Sequence, residues 1–248
     1  MVEGATTPRG PRNPEIVEAT RLHNARIRRE RHQTLIEGPH LLADALAAGV
    51  RVDTVFVYSR DTPSFELAEQ HGLTAIPVSE TALERLADTR TPRGPIAIVE
   101  IPTHELSGGT NLLVSYGVSE PGNVGALIRT AAGFGWKFAY TPGSGDPWSP
   151  KTLRAGAGGH FRTIVAPVSG LADLDSWQTV ATVVEGGSSP GTLENGPYAL
   201  LIGSEAHGLP AEVIEAADSR ITVPMPGGIE SLNASVAAGI LVYALSAR

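Results

Sequence analysis

The sequence predicts an α/β protein in two parts, and three observations carry that prediction. Short apolar runs such as "VDTVFVY", "NLLVSYGV" and "YALLIGSE" alternate with segments of helical period, the pattern of a mostly parallel sheet covered on both faces. Several of these runs end in Gly and small polar residues. A polar stretch, "THELSGGT" (103–110), interrupts the alternation once and reads as a linker.

Taken in order, residues 1–14 are rich in Pro, Gly and Thr, which predicts mobility. Pro14 to His32 has a basic helical pattern, so 1–29 is expected to be a flexible, Arg-rich extension carrying a helix. A compact α/β unit is expected over 30–102. "TLIEG" is a strand, and "PHLLADALAAG" is a helix with Pro39 in its first turn and Gly49 as its stop. "VDTVFVY", "TAIPVS" and "GPIAIVEI" are further strands, separated by the helices "SFELAEQHG" and "ETALERLAD". Past the linker, a second unit is expected over 111–248. It opens on the strand "NLLVSYGV", the helix "NVGALIRTAAGFG" and the strand "KFAYTPG". The strands "TVATVVEGG" and "YALLIGSE", the helix "PAEVIEAAD" and the strand "RITVPM" follow. The last element, from Asn233, has no charge before Arg248, which predicts a helix buried on nearly all sides.

Composition narrows the function classes. The 248 residues are 42% hydrophobic and 18% charged, the balance of a globular protein. No run reaches the roughly 18 apolar residues of a membrane span, and the N-terminus has no apolar core for a secretory signal. There is no cysteine, which excludes disulfides, thiolate zinc sites and thiol nucleophiles. The expectation is a cytoplasmic protein with no metal. The net charge of −7 argues against a polyanion partner, but its distribution does not. Residues 1–32 hold seven Arg against four Glu, a surplus of +3 that leaves −10 for the rest. Either this is a solvated basic helix, or its guanidinium forks meet phosphate.

Three segments put Gly and small polar residues at strand ends, where ligands of open parallel sheets collect. They are "VSEPGNVGALIR" (118–129), "LLIGSEAHGLP" (200–210) and "ITVPMPGGIESLNAS" (221–235). Each Gly could be no more than a turn residue, but three such loops in one half of the chain point to a site. The dinucleotide spacing, the phosphate loop with its Lys, and the G-x-S-x-G elbow are all missing from them.

In order and spacing, "EPGNVGALIRTAAGFG" (120–135), "LLIGSEAHGLP" (200–210) and "VPMPGGIESLNASVAAGILVY" (223–243) resemble the three motifs of SPOUT-class RNA methyltransferases of the SpoU/TrmH-like branch. The front half, through "LIEGPHLLADALAAG" (35–49) and "LADTRTPRGPIAIVE" (86–100), is similar to the L30e-like substrate-binding domain often fused to it. The resemblance implies a C-terminal parallel-sheet domain tied in a trefoil knot, something periodicity cannot show. It also implies S-adenosyl-L-methionine as cofactor, methyl transfer to a ribose 2′-hydroxyl of structured RNA, and a homodimer formed through the C-terminal region.

By the same resemblance, Arg129 serves the 2′-oxygen, with Asn123, Glu205, Ser231 and Asn233 completing the catalytic set. Gly203, Val223 and Leu232 line the cofactor pocket. A guanidinium is a poor base, so Arg129 is better suited to holding phosphate and stabilising a developing alkoxide; a structural salt bridge is its other reading. Asn123 could cap its helix as well as serve the site, and Ser231 and Asn233 sit at the mouth of the last helix, where capping and anion attraction coincide. Ala206 and Ala234 stand where the family often has Gly and Val. Ribosomal RNA, in particular 23S rRNA, is preferred as target over transfer RNA. The alternatives are a tRNA 2′-O-methyltransferase, a non-catalytic knotted RNA-binding module, and a small-molecule enzyme using the same pocket.

Overall fold

Asn13 starts helix α1 (Pro14–Thr20) by accepting a hydrogen bond from the Glu15 amide at 3.0 Å. Pro14 occupies the first turn, where its missing N–H costs nothing. The computed structural model describes residues 7–92, 94–193 and 196–247; residues 1–6, part of the stretch expected to be mobile, lie outside the described residues. The chain forms two units, one running to Pro102 and including Trp148–Arg154, the other made of Thr103–Pro147 and the chain from Ala155.

In the first unit, α1 and α2 (Ala25–Arg31) precede strand β1 (Gln33–Glu37), α3 (Pro39–Ala47), β2 (Val52–Tyr58), α4 (Thr62–Gln70), β3 (Ala75–Val78), α5 (Glu80–Leu86) and β4 (Ile96–Glu100). The sheet order is β1-β4-β2-β3. β3 runs parallel to β2, but β4 enters between β1 and β2 antiparallel to both. This sheet is therefore mixed. The strand β4 therefore runs against both of its neighbours.

The basic N-terminal segment is not an appendage to a domain beginning at residue 30. Ile16, Ala19 and Leu22 are buried in the same cluster as Phe56, Val78 and Leu86. Arg9 pairs with Val78 at the edge of β3, its amide donating to Pro77 O at 2.9 Å. The arginines of this segment dominate its charge, yet its apolar positions fix its place. Burying a side chain such as Ile16 or Leu22 is worth about 1.5–3 kcal/mol.

The second unit holds β5 (Leu112–Tyr116), α6 (Pro121–Gly133), β6 (Lys137–Tyr140), β7 (Val165–Pro167), β8 (Gln178–Thr182), β9 (Tyr198–Gly203), α8 (Ala211–Ala216), β10 (Ser219–Ile221) and α9 (Ala234–Ser246). Its six strands are all parallel, in the order β10-β8-β9-β5-β6-β7. All six residues of β9 are buried, as a central strand covered on both faces requires. The strand order turns back between β5 and β9, the place where such sheets bind ligands.

Three expectations change in this unit. The stretch 103–110 is held to it rather than left as a linker: Trp177 Nε1 donates to Thr110 O at 2.7 Å, Lys137 Nζ donates to Ser107 Oγ at 3.1 Å, and Leu106 packs on the core. Strand β7 occupies residues for which no element was expected, as does a short helix α7 (Pro150–Gly156), most of which belongs to the first unit. α9 is not buried on all sides, because Val236, Ile240 and Tyr243 are 51%, 43% and 63% exposed.

His160, fully buried, donates from Nε2 to Pro147 O at 2.8 Å. Burial pushes its imidazole down to about 4, so it stays neutral at physiological pH.

The placement of the N-terminal helices has a measurable consequence. Leu22→Ala is expected to cost about 2–5 kcal/mol in denaturant unfolding, the range for truncating a buried Leu. An unchanged midpoint would show that the segment is outside the cooperative unit.

Candidate active site

β9 delivers Gly203 to the carboxyl edge of the sheet, and the chain then folds back on itself. Ser204 and Gly208 exchange backbone hydrogen bonds of 3.1 and 2.9 Å, and Gly208 takes φ +66°, which favours glycine. A Cβ on Gly203 would lie 2.2 Å from Gly208 C and 2.3 Å from Leu209 N. Glycine is therefore required at 203 by the returning backbone. The tight loop holds Glu205 out at its exposed tip.

α6 begins beside this loop. Its N-cap residue is Glu120, with Pro121 in the first turn, so Asn123 lies inside the helix and does not cap it. Its amide is used across the site instead. Nδ2 donates to Glu205 Oε1, while Oδ1 accepts from Asn233 Nδ2 at 3.0 Å and from Ser235 Oγ at 3.3 Å. Asn233 is the true cap of α9: its Oδ1 accepts from the amides of Ser235 and Val236 at 3.0 and 3.3 Å. One amide thus ties together side chains from all three glycine-bearing segments.

Behind this cluster a pocket opens past the ends of β8, β9 and β10. Ile202, Ile221, Leu232 and Leu241 contribute apolar wall, and Gly203 and Ser204 bring backbone to its surface. Val223 and Ser231 also line it, as does Glu205, the one charged residue among the described lining residues. Of the predicted residues, then, Gly203, Glu205, Val223, Ser231 and Leu232 come together around one pocket, and Asn123 and Asn233 form its polar rim.

Arg129 is not brought into the pocket. It lies on the exposed face of α6, six residues beyond Asn123; at 100° per residue this points it well away from Asn123. No partner of its guanidinium is found among the described residues. Gly159 packs so closely that a Cβ there would be 3.1 Å from Arg129 Cα.

Ser235 was missed. It is the second residue of the apolar helix α9, and its hydroxyl also lies 2.6 Å from Asn233 Oδ1, which accepts from it. Its i+2 spacing from Asn233 was the available signal. Among the described residues no group of three or more His, Asp or Glu is placed to hold a metal.

A parallel sheet with one largely apolar pocket at its carboxyl edge, rimmed by converging polar side chains, defines an α/β domain built to bind an organic ligand. Residues 110–243 match the SpoU rRNA Methylase family, and residues 13–97 match the MRM3-like substrate binding domain. The chain belongs to the SpoU rRNA methylase family. It is 31% identical to the 23S rRNA (guanosine(2553)-2′-O)-methyltransferase RlmP of Bacillus subtilis over 94% of this chain and 96% of that protein. It is 29% identical to human mitochondrial rRNA methyltransferase 3, over 88% of this chain and 68% of that one. Among solved structures, the AdoMet-bound rRNA methyltransferase from Sinorhizobium meliloti superposes with a TM-score of 0.83 at 26% identity, covering 94% of each chain. The N-terminal match starts at residue 13, which agrees with the burial of Ile16 and Leu22.

The returning loop can be tested alone. Gly203→Ala is expected to destabilise the protein by about 1–3 kcal/mol, the usual cost of overpacking, and to speed hydrogen exchange at the Gly208 amide. Wild-type exchange there would mean that the close approach is not real.

Proposed function

We propose that the protein transfers a methyl group from S-adenosylmethionine to a ribose 2′-hydroxyl of ribosomal RNA, with 23S rRNA as the target. The observation that carries this reading is the convergence of three separate segments on one pocket through Asn123. The pocket suits the cofactor: apolar walls accept a flat purine, exposed backbone at Gly203 and Ser204 can hydrogen-bond its edge, and a single carboxylate, Glu205, favours a cation. When bound, S-adenosylmethionine supplies an activated methyl group. The choice of ribosomal RNA is supported by the names of the Bacillus subtilis and human relatives.

The chain's own residues then have to hold the acceptor oxygen in line and stabilise it as its proton leaves. Orientation of this kind is worth about 7–11 kcal/mol of barrier. Asn123 fixes the Glu205 and Asn233 side chains, so the pocket rim is set before RNA arrives. Arg129 is assigned to the RNA side, where an exposed guanidinium can hold a phosphate and stabilise charge on the 2′-oxygen. Ser231, on the pocket wall, completes the set with Gly203, Val223 and Leu232 as cofactor-lining residues.

A homodimer, a trefoil knot of the C-terminal segment and a cytoplasmic location belong to the same proposal. The dimer is supported by the stripe of Val236, Ile240 and Tyr243, one face of α9, continued by Phe134 edge-on to Tyr243 at 6.3 Å. Exposed apolar faces of this kind mark protein contacts. No described helix is long and apolar enough to cross a membrane.

Methyl transfer from labelled cofactor to 23S rRNA and to tRNA tests the reading directly, and preference for tRNA would replace the target. Arg129→Ala should lower kcat by about 10²–10³-fold, as loss of one transition-state donor does, with cofactor affinity unchanged; an Ala variant as active as the parent would remove Arg129 from the mechanism. Ile240→Glu should shift the sedimenting species from dimer to monomer, and an unaltered dimer would place the interface elsewhere.

A further inference from the structure

From residue 234 to 242 the last helix carries one polar side chain, Ser235. A hydroxyl in the first turn of a helix ordinarily serves to cap it. α9 has no such need. Asn233 Oδ1 already accepts from the backbone amides of Ser235 and Val236, one for each of its lone pairs. Yet the half-buried Ser235 hydroxyl sits between two side-chain oxygens, 2.6 Å from Asn233 Oδ1 and 3.3 Å from Asn123 Oδ1. An amide oxygen can only accept, so the hydroxyl is the donor towards both.

The two residues beside it divide the work. The cap turns the oxygen of Asn233 towards α9, which leaves its Nδ2 to face Asn123. Asn123 must therefore present its own oxygen to α9 and its Nδ2 to Glu205 Oε1. Asn233 thus sets which way the Asn123 amide points, but it fills only one lone pair of the Asn123 oxygen, at 3.0 Å. Ser235 fills the second. With both lone pairs engaged, the Asn123 carboxamide is held in one rotamer, and its Nδ2 stays on the carboxylate that lines the pocket.

We infer that Ser235 is a positioning residue for methyl transfer: it clamps the Asn123 amide, and through it the Glu205 carboxylate, in the arrangement the reaction uses. The inference rests on the methyl-transfer reading above. Ser235 acts on the pocket rim through Asn123, and its contribution is the weight of one hydrogen bond, not that of a group at the reacting atoms.

The test compares Ser235→Ala, Ser235→Thr and Ser246→Ala in the full chain. Alanine is the best helix former, so α9 should survive, and circular dichroism checks this. Ser246 is the control, because its hydroxyl accepts from Trp136 Nε1 at 2.9 Å at the far end of the same helix. In nitrogen-edited NMR spectra, the Asn123 side-chain amide of Ser235→Ala should exchange with solvent about two- to tenfold faster than in the parent, as loss of one net hydrogen bond allows. At saturating RNA and cofactor, kcat should fall by the same factor while KM for RNA holds. Ser235→Thr keeps the hydroxyl and should restore both quantities, and Ser246→Ala should leave both at parental values. Parental exchange or parental kcat in Ser235→Ala overturns the inference, and so does a threonine variant that behaves like the alanine one. An equal change in Ser246→Ala overturns it too, because the effect would then be a general loosening of α9. A parent protein that transfers no methyl group would instead overturn the functional reading, and the exchange rates would still decide whether Ser235 holds Asn123.

Discussion

The candidate site depends on one side-chain amide. Asn123 must donate to a carboxylate on one loop and accept from an amide and a hydroxyl on another. Only a group with both donor and acceptor ends can do this; Asp could not donate, and Ser could not span the gap. Each such bond contributes about 0.5–1.5 kcal/mol net, less where exposed. These bonds therefore do not hold the domain together. They select one arrangement of loops from those that the core leaves available.

The core does the coarse work. β9, buried along its whole length, and its neighbours β5 and β8 fix where the strand tips end. α6 packs against α9, and Trp136 Nε1 donates to Ser246 Oγ at 2.9 Å, pinning the far end of α9. With both helices anchored by apolar contacts, Asn123 and Asn233 meet without further adjustment. The close return of the backbone over Gly203 then fixes Glu205. Packing sets positions to within a loop's reach, and a few polar bonds set the final register.

How much of this could be seen in the sequence follows from the same division. The three glycine-bearing segments and Asn233 at the mouth of the last helix were visible because glycine and polar residues at strand ends break an otherwise apolar pattern; Gly203, Asn123 and Glu205 were singled out within those segments by the family resemblance. The alternation of strands and helices was visible for the same reason. What escaped was whatever depends on partners distant in sequence. Asn123 reads as a cap until Pro121 shifts the helix start to Glu120. α9 reads as fully buried, because composition does not tell which face meets a neighbour and which meets solvent. The segment 148–154 carries too little periodicity to announce a helix, and its place in the first unit rests on a hydrogen bond from Thr34, 114 positions away.

The charge pattern shows why a net negative protein can still suit an RNA partner. At physiological salt the Debye length is about 8 Å, so an exposed phosphate responds to the few charges beside it and hardly to the total. The arginine surplus of the N-terminal segment overstates its reach, since four of those seven arginines face glutamates and Arg28 is buried. Exposed pairs of that kind are worth about 0.2–1 kcal/mol, yet each carboxylate still cancels most of its partner's field at a distance. What a nearby polyanion meets is therefore the local excess, to which Arg129 on α6 belongs. Recognition then depends on where such cations are held. For Arg129 that is decided by the packed face of α6 behind it, where Val124, Leu127, Ile128 and Ala131 are buried.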